Sequence, residues 1–521
     1  MDTDVLIVGA GPVGLVLAID LGRRGVRCTL IERKPEPQFL PKMERCNART
    51  MEIFRRMGIA TLVRAAGLRA DVPMDVYIIC AMNKPPLLHH PYPSVAEARR
   101  EIDACTDGSL PLEPYQLISQ YTLEPLLTSV AENLPSVTVR YGCEFLSFSQ
   151  DAMGVVTQTS SDTIASKYLV GCDGGASTVR QQLGIALSGE GHLLRLRQGL
   201  FRCDELFDRI PIDGGPGHGR HYHVADERST FLIMQDSTLH WTLHAVLDDD
   251  AAMAPQFEST IGVPVKYEML YVGEWKQNLL LADHYGRGRV FLAGDAVHLV
   301  IPTGGLGMNS GVGDAIDLGW KLAATLHGWG GPKLLASYEA ERRPIGARNV
   351  SASRYASLGR RKWRALWRDL DELVRVAEVE QRKSNEMIGA ELSYRYAGSP
   401  IIADEPGGPE DDFRRYIPTT WPGARLPHVW LDGHVAIQDR IPEGYALLRL
   451  ASRDADVSGL ESAMRALGAP FQVLDIADAM AREVYGVDLI LLRPDLHVAW
   501  RGNQHAADPV RLARLVTGHS A

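Results

Sequence analysis

The 521-residue sequence predicts an α/β protein. A parallel sheet wrapped by helices would carry an inserted, mostly antiparallel sheet and a smaller α/β unit at the C-terminus. Three observations predict this. The chain is too long for one hydrophobic core, so two or three domains are expected. Apolar runs at 4–8, 168–171 and 290–293 each end in a glycine-bearing turn followed by a helical pattern, as when a strand buried on both faces feeds a crossover helix. Between roughly 185 and 280 the chain changes to short runs separated by polar turns, which read as antiparallel strands.

The composition fits an ordinary globular protein, with 45% hydrophobic and 23% charged residues. A net charge of −9 gives no reason to expect nucleic acid or an anionic membrane as partner. The segment Val5–Ile19 has no charged residue, yet it follows Asp2 and Asp4 rather than Lys or Arg. Gly9, Gly11, Pro12 and Gly14 interrupt it, and it is too short to span a bilayer. A soluble, cytoplasmic protein is expected. Seven cysteines (28, 46, 80, 105, 143, 172, 203) occur without any CxxC, so reduced thiols are expected and neither a metal site nor dithiol chemistry is.

In chain order, DTDVLIVGAGPVGLVLAIDLGRRGVRCTLIER reads as strand, glycine turn, helix, strand. Leu15, Ala18, Ile19 and Leu21 recur at helical spacing, and Gly25 turns the chain into a strand at 26–31. A helix is expected at 47–57, and another from Thr122, with its hydroxyl as cap. Strands are expected at 229–234, 239–247 and 266–272. In LHWTLHAV (239–246), His240, Thr242 and His244 share one face and Trp241, Leu243 and Ala245 the other. The polar face suits either a pocket wall or solvent. Helices dominate from about 307 to 395, and the linker DEPGGPEDDF (404–413) marks a boundary. Runs at 444–449, 471–475 and 488–492, with helical patterns at 457–467 and 508–517, complete a small α/β unit. The domains expected are 1–184 with 280–400, then 185–279, then 401–521.

The glycine turns carry the chemistry. GAGPVG (9–14) has the GxGxxG spacing directly after a strand and at a helix start, where a pyrophosphate can approach bare backbone. Glu32 ends the second strand, in the position of a carboxylate accepting from ribose hydroxyls. This pattern predicts an ADP-containing cofactor without separating FAD from NAD. In RVFLAGDAVHLVIPTGGLGMNSG (289–311), Asp295 after a strand fits an acceptor for a ribityl chain. The glycines at 304, 305 and 307 would admit a flat ring, and the helix start near Met308 would favour the negative charge of a reduced flavin. The third turn is YLVGCDGGASTVR (168–180), with Ser177 placed to cap the next helix.

Together these motifs resemble the class A flavoprotein monooxygenases, the family of para-hydroxybenzoate hydroxylase, over about the first 400 residues. GAGPVG with Glu32-Arg33 resembles its first motif, GCDGGASTVR its DG motif, and the segment from Gly288 its GD motif. PGARLPHVWL (422–431) and LLRPDLHVAWR (491–501) are similar to the thioredoxin-like C-terminal domain of the phenol-type and resorcinol-type hydroxylases. Without cysteine here, that domain is expected to be structural or part of a homodimer contact.

The resemblance implies a Rossmann-like FAD-binding domain of the GR2 type with an inserted substrate sheet. It implies that Gly9, Gly11, Gly14, Glu32 and Arg33 hold the ADP half of FAD. Gln120 would contact the flavin chain, Asp295 the ribityl group, and Gly305, Leu306, Gly307, Met308 and Asn309 the ring. Asp173 and Arg180 sit in the motif associated with FAD and NADPH, and Pro302 matches the proline beside the ring. Lys42 stands where para-hydroxybenzoate hydroxylase has a flavin-contacting arginine. Glu44, five positions before Arg49-Thr50-Met51-Glu52, matches an acidic residue that touches substrate in phenol hydroxylases. Tyr222, His223, Met234 and Trp241, in the inserted sheet, are the substrate candidates, and no metal ligand is expected. The activity implied is hydroxylation of a phenolic ring with NAD(P)H and O2 through a flavin C4a-hydroperoxide. The substrate would be a substituted phenol or an aromatic polyketide. A flavin dehydrogenase or oxidase and a non-catalytic FAD-binding protein are the alternatives.

Overall fold

The computed structural model describes residues 1–210, 220–450 and 455–520. Five parallel strands form the centre of the first sheet, in the order Val290–Leu292, Thr163–Gly171, Thr3–Val8, Cys28–Glu32, Val137–Tyr141. Val5, Leu6 and Ile7 are fully buried, because helices cover both faces, and this is why the run shows no alternation. The helix Pro12–Arg23 starts with a proline where a missing N–H costs nothing and packs on the helix Gly307–Leu326. The expected helix at 47–57 is Ala48–Arg56, capped by Asn47.

The helix expected from Thr122 runs instead over Gln120–Glu132 with Ser119 at its cap position. Thr122 is therefore inside the first turn and its hydroxyl caps nothing. Ser119 is held by the inserted sheet, its Oγ donating to Gln235 Oε1 at 2.7 Å and its N–H to Asp236 Oδ2 at 3.0 Å. Gln120 becomes the first helical residue. Ser177 does cap, accepting from the Arg180 N–H at 3.0 Å.

The second sheet has seven strands, ordered Glu268–Lys276, Arg195–Arg202, His240–Ala245, Phe231–Met234, His221–Val224, Val76–Ile79, Leu88–His90. All pairs are antiparallel except His221–Val224 with Val76–Ile79. Its last two strands come from well before residue 185; VYII and LHH are too short to show a period. Register sets the two faces. Tyr222 pairs with Leu232, and Trp241 with Met234, and these join Phe201, Leu243 and Phe257 in a closed core. His221, His223, Phe231, Ile233 and His244 point the other way, toward the parallel sheet.

The C-terminal unit holds a four-stranded sheet ordered Phe471–Asp475, Tyr445–Arg449, Leu489–Leu492, Val498–Gly502, its first pair parallel and the rest antiparallel. Buried ion pairs fasten it to the remainder. Arg425 grips Glu52, with Nε to Oε2 at 2.6 Å and both side chains 1% exposed. Arg493 reaches Glu341 at 2.6 Å and Asp317 at 2.9 Å, and Lys321 bridges the same two carboxylates. Among the described residues no helix is long and apolar enough to cross a membrane.

Candidate active site

The three glycine turns open onto one cavity of about 720 Å3 lying between the two large sheets. At the first turn the backbone must be bare. Gly9 has φ +107°, and a Cβ there would lie 2.4 Å from the Cys172 carbonyl oxygen, so this turn rests directly on the DG turn. Around Gly11 the protein leaves room: the nearest atom to a Cβ would be Glu124 Oε1 at 4.0 Å. Glu32 is drawn in beside them, accepting from the Ala10 N–H at 3.1 Å and the Lys34 N–H at 2.9 Å.

The other two turns are tied to each other. Arg180 donates to Ala296 O and Gly175 O, both at 3.0 Å, linking the GD and DG turns. Asp173 accepts from Ser177 Oγ and from the Thr178 and Val179 N–H groups, so its carboxylate is spent on starting the helix Thr178–Gln182. Asp314 accepts from the Gly294 N–H at 3.1 Å, His298 Nε2 at 2.8 Å and Arg342 Nε at 2.8 Å. Burial works against its ionisation, but Arg342 and His298 outweigh this and hold the carboxyl below its ordinary range. That fixed carboxylate shapes the turn presenting Asp295. Asp295 is open to the cavity yet deep in the protein, where burial pushes its carboxyl up against the opposing effect of His298 and Lys42.

Gly304 and Gly305 adopt φ +91° and +66°, and the Gly305 N–H donates to Pro302 O at 2.9 Å. Asn309 fastens this loop: its Nδ2 donates to Gly305 O and Arg45 O, and its Oδ1 accepts from the Asn47 N–H and Thr50 Oγ1. The twenty-residue helix Gly307–Leu326 thus begins at the cavity wall, its unpaired N–H groups and dipole facing inward.

On the inserted-sheet side, Glu44 Oε1 lies 2.9 Å from His221 Nε2 and Oε2 lies 3.6 Å from Arg220. Burial would raise the Glu44 carboxyl, but His221, Arg220 and His244 outweigh it and pull it down to about 2. Burial lowers the His221 imidazole, with Glu44 opposing. We read the pair at neutral pH as an ionised carboxylate accepting from a neutral imidazole. His244 is brought by burial down to about 3 and is neutral as well.

Of the residues expected at the site, Gly9, Gly11, Glu32, Arg33, Lys42, Glu44, Gln120, Asp173, His223, Asp295, Pro302, Gly305, Gly307, Met308 and Asn309 line the cavity. Others do not line it. Gly14 packs under the first turn, where a Cβ would meet Gly9 O at 2.0 Å. Arg180 is the link described above, and Leu306 lies in a small core with Ala352, Met387 and Ala390. Tyr222, Met234 and Trp241 fall on the wrong side of the sheet, because strand alternation gives them the opposite face from His221 and His223. The carbonyl of Pro302 is engaged by Gly305. Arg45, Gln198, Arg220 and Arg360 were missed; the alternation in RHYH (220–223) was the one available signal.

A dinucleotide-type phosphate turn and a second and third turn closing on the same cavity, beside a polar chamber, define a flavin-dependent oxidoreductase. Residues 2–353 match the FAD binding domain family and residues 419–518 the family described as aromatic-ring hydroxylase, C-terminal. The chain belongs to the FAD-dependent aromatic-ring hydroxylases, and it is a flavoprotein monooxygenase. The FAD-dependent monooxygenase apdD of Emericella nidulans is 32% identical over 96% of this chain and 87% of its own. Aklavinone 12-hydroxylase RdmE of Streptomyces purpurascens is 32% identical over 97% and 96%. The structure of RebC soaked with chromopyrrolic acid and holding 7-carboxy-K252c superposes with a TM-score of 0.89, at 29% identity, over 99% of both chains.

Proposed function

We propose that this monooxygenase hydroxylates a phenolic ring in a fused-ring, polyketide-like substrate, with NAD(P)H as reductant and O2 as co-substrate, inside the cytoplasm. The Glu44–His221 pair on the chamber wall carries the reading. When bound, FAD supplies hydride acceptance and the activation of O2. Gly9, Gly11, Glu32 and Arg33 would hold its ADP half, Asp295 the ribityl chain, and Gly305, Gly307, Met308 and Asn309 the ring.

The protein's own groups prepare the substrate. A phenolate is far more nucleophilic than a phenol, so a base near the hydroxyl accelerates attack, typically by roughly 10²–10⁴-fold. Glu44 is already engaged by His221 and Arg220, which leaves its carboxylate poorly placed for that task. The geometry favours His221 as the proton acceptor: with Nε2–H donated to Glu44, its Nδ1 is left as acceptor. Glu44 then fixes the tautomer and stabilises the imidazolium. The wide wall formed by Gln198, His223, Ile233, His244 and Trp275 suits several fused rings better than one, and RdmE's named substrate supports the same size class. Enclosure between the two sheets keeps out water. The C-terminal unit serves as a brace and, in this reading, as a dimer contact.

The test is a screen of phenols and polycyclic hydroxyquinones for stimulated NAD(P)H oxidation, with product mass as readout. With an active compound, Glu44→Gln and His221→Asn should each slow hydroxylation by roughly ten- to a hundredfold, with FAD content unchanged. Unaltered rates and coupling in both variants across neutral and alkaline pH would overturn the assignment.

A further inference from the structure

One cation in the chamber, Arg360, has no carboxylate within ion-pair distance among the described residues; Glu44 acts on it only at longer range. Arg360, near the end of the 33-residue helix Pro332–Arg364, lines the cavity with His223, Phe231, His244, Ser384 and Asn385. Among the described residues it has no acidic partner, and its Nε is buried without a hydrogen bond. Its one specific contact is with the Phe231 ring, 5.6 Å from the guanidinium carbon. Arg364 stacks on the same ring at 5.6 Å but is committed, donating to His223 Nδ1 at 3.0 Å and Thr230 O at 3.3 Å. The carboxylate that faces this chamber, Glu44, is engaged by His221 and Arg220. Burial lowers Arg360 to about 10, so it stays cationic at neutral pH. A guanidinium facing an enclosed cavity without a paired anion is costly unless a ligand brings one. Asn385 lines the same cavity, and its Oδ1 already accepts from Gln381 Nε2 at 2.9 Å, which leaves its Nδ2 to donate.

We propose that Arg360 is a specificity-determining residue that pairs with a carboxylate carried by the aromatic substrate, with Asn385 as second donor. The inference rests on the hydroxylase reading and narrows its substrate class to hydroxylated aromatic acids. The carboxylate would anchor the ring from the helix side while Glu44 and His221 meet its hydroxyl from the sheet side.

The test uses the FAD-loaded protein and two isosteric probes, 3-hydroxy-2-naphthoate and 3-hydroxy-2-naphthamide, with binding followed by perturbation of the flavin absorbance. The acid should bind the wild type at least about tenfold more tightly than the amide, as expected for charge-assisted hydrogen bonds. Arg360→Met should abolish that preference and Arg360→Lys should retain part of it. The Met variant should also melt no lower than wild type without ligand, since it removes an unpaired buried charge. A wild type without preference for the acid, including one that binds neither probe, overturns the proposal. So does an Arg360→Met variant that keeps the preference, or one that instead raises only the KM for NADPH. If neutral phenols stimulate NAD(P)H oxidation as effectively as their carboxylated counterparts, this inference falls while the hydroxylase reading stands; if no aromatic compound does, the hydroxylase reading falls.

Discussion

Gly9→Ala and Gly11→Ala should part company, because the same added methyl meets protein in one case and cofactor space in the other. At Gly9 the methyl would sit 2.4 Å from Cys172 O and 2.8 Å from Cys172 C, both backbone atoms, on a residue at φ +107°. An L-residue in that region costs about 1–2 kcal/mol, and overpacking against atoms that cannot rotate away costs about 1–3 kcal/mol more. The total, about 2–5 kcal/mol, is relieved by moving the first turn off the DG turn. Expressed wholly in FAD affinity it amounts to roughly thirty- to several-thousand-fold. At Gly11, with φ −70° and nothing nearer than 4.0 Å, the apoprotein should lose no more than about 1 kcal/mol as a helix cap. FAD affinity should still fall roughly ten- to a hundredfold as the pyrophosphate loses its N–H contacts. Thermal melting of the apoprotein, with FAD titration followed by quenching of flavin fluorescence, reads both quantities. The reasoning fails if Gly9→Ala melts like wild type and binds FAD within about threefold of it, or if Gly11→Ala binds FAD normally.

Further consequences follow from buried charges. Arg425→Met leaves the Glu52 carboxylate buried beside only Arg49, at 3.5 Å, and the Leu112 N–H. It should cost about 3–5 kcal/mol in urea unfolding, and Glu52→Gln added to it should restore much of the loss; an unshifted midpoint would count against this. Arg180→Met strands the carbonyls of Gly175 and Ala296, so FAD affinity should drop roughly tenfold without any lost direct contact, and normal affinity would refute the linking role. Burial lowers His428 and His497 to about 4 and His244 to about 3. Below the ordinary 6.5 the unfolded chain takes up protons first, so stability present above that pH is lost as pH falls toward these values, by about 1.4 kcal/mol per unit for each histidine. Glu44 adds a lower window: its contribution is present above 4.5 and is lost toward about 2. Unfolding midpoints that stay flat from neutral pH to about 5 would contradict the histidine part.

The parallel sheet and its three turns were legible because each is a local pattern: an apolar run, a glycine forced by positive φ or close approach, a helix start. Ser177 as a cap belongs to the same class. The chamber was less legible. Strand alternation showed that Trp241 and His244 face opposite ways, but nothing in the sequence told which face met the flavin, and large aromatics were the wrong guess because they fill the sheet's closed core. Thr122 looked like a cap until the inserted sheet seized Ser119 and began the helix two residues earlier. Arg180 carried the right motif but acts on backbone carbonyls. Arg360 gave no signal at all, since an arginine near the end of a long helix looks like any solvated charge, and its isolation comes only from what packs around it. The element Arg49-Thr50-Met51-Glu52 divides its work between Asp495 O, Asn309 and Arg425, three partners far apart in sequence.

Transfer of an oxygen atom from O2 to a substrate ring held in the chamber is tested most directly with isotopically labelled oxygen. With an active phenol, NAD(P)H and 18O2, the product should gain a single labelled oxygen, and in Glu44→Gln the yield of labelled product per NAD(P)H consumed should fall. NAD(P)H consumption that yields only hydrogen peroxide, with every screened phenol recovered unlabelled, would contradict it.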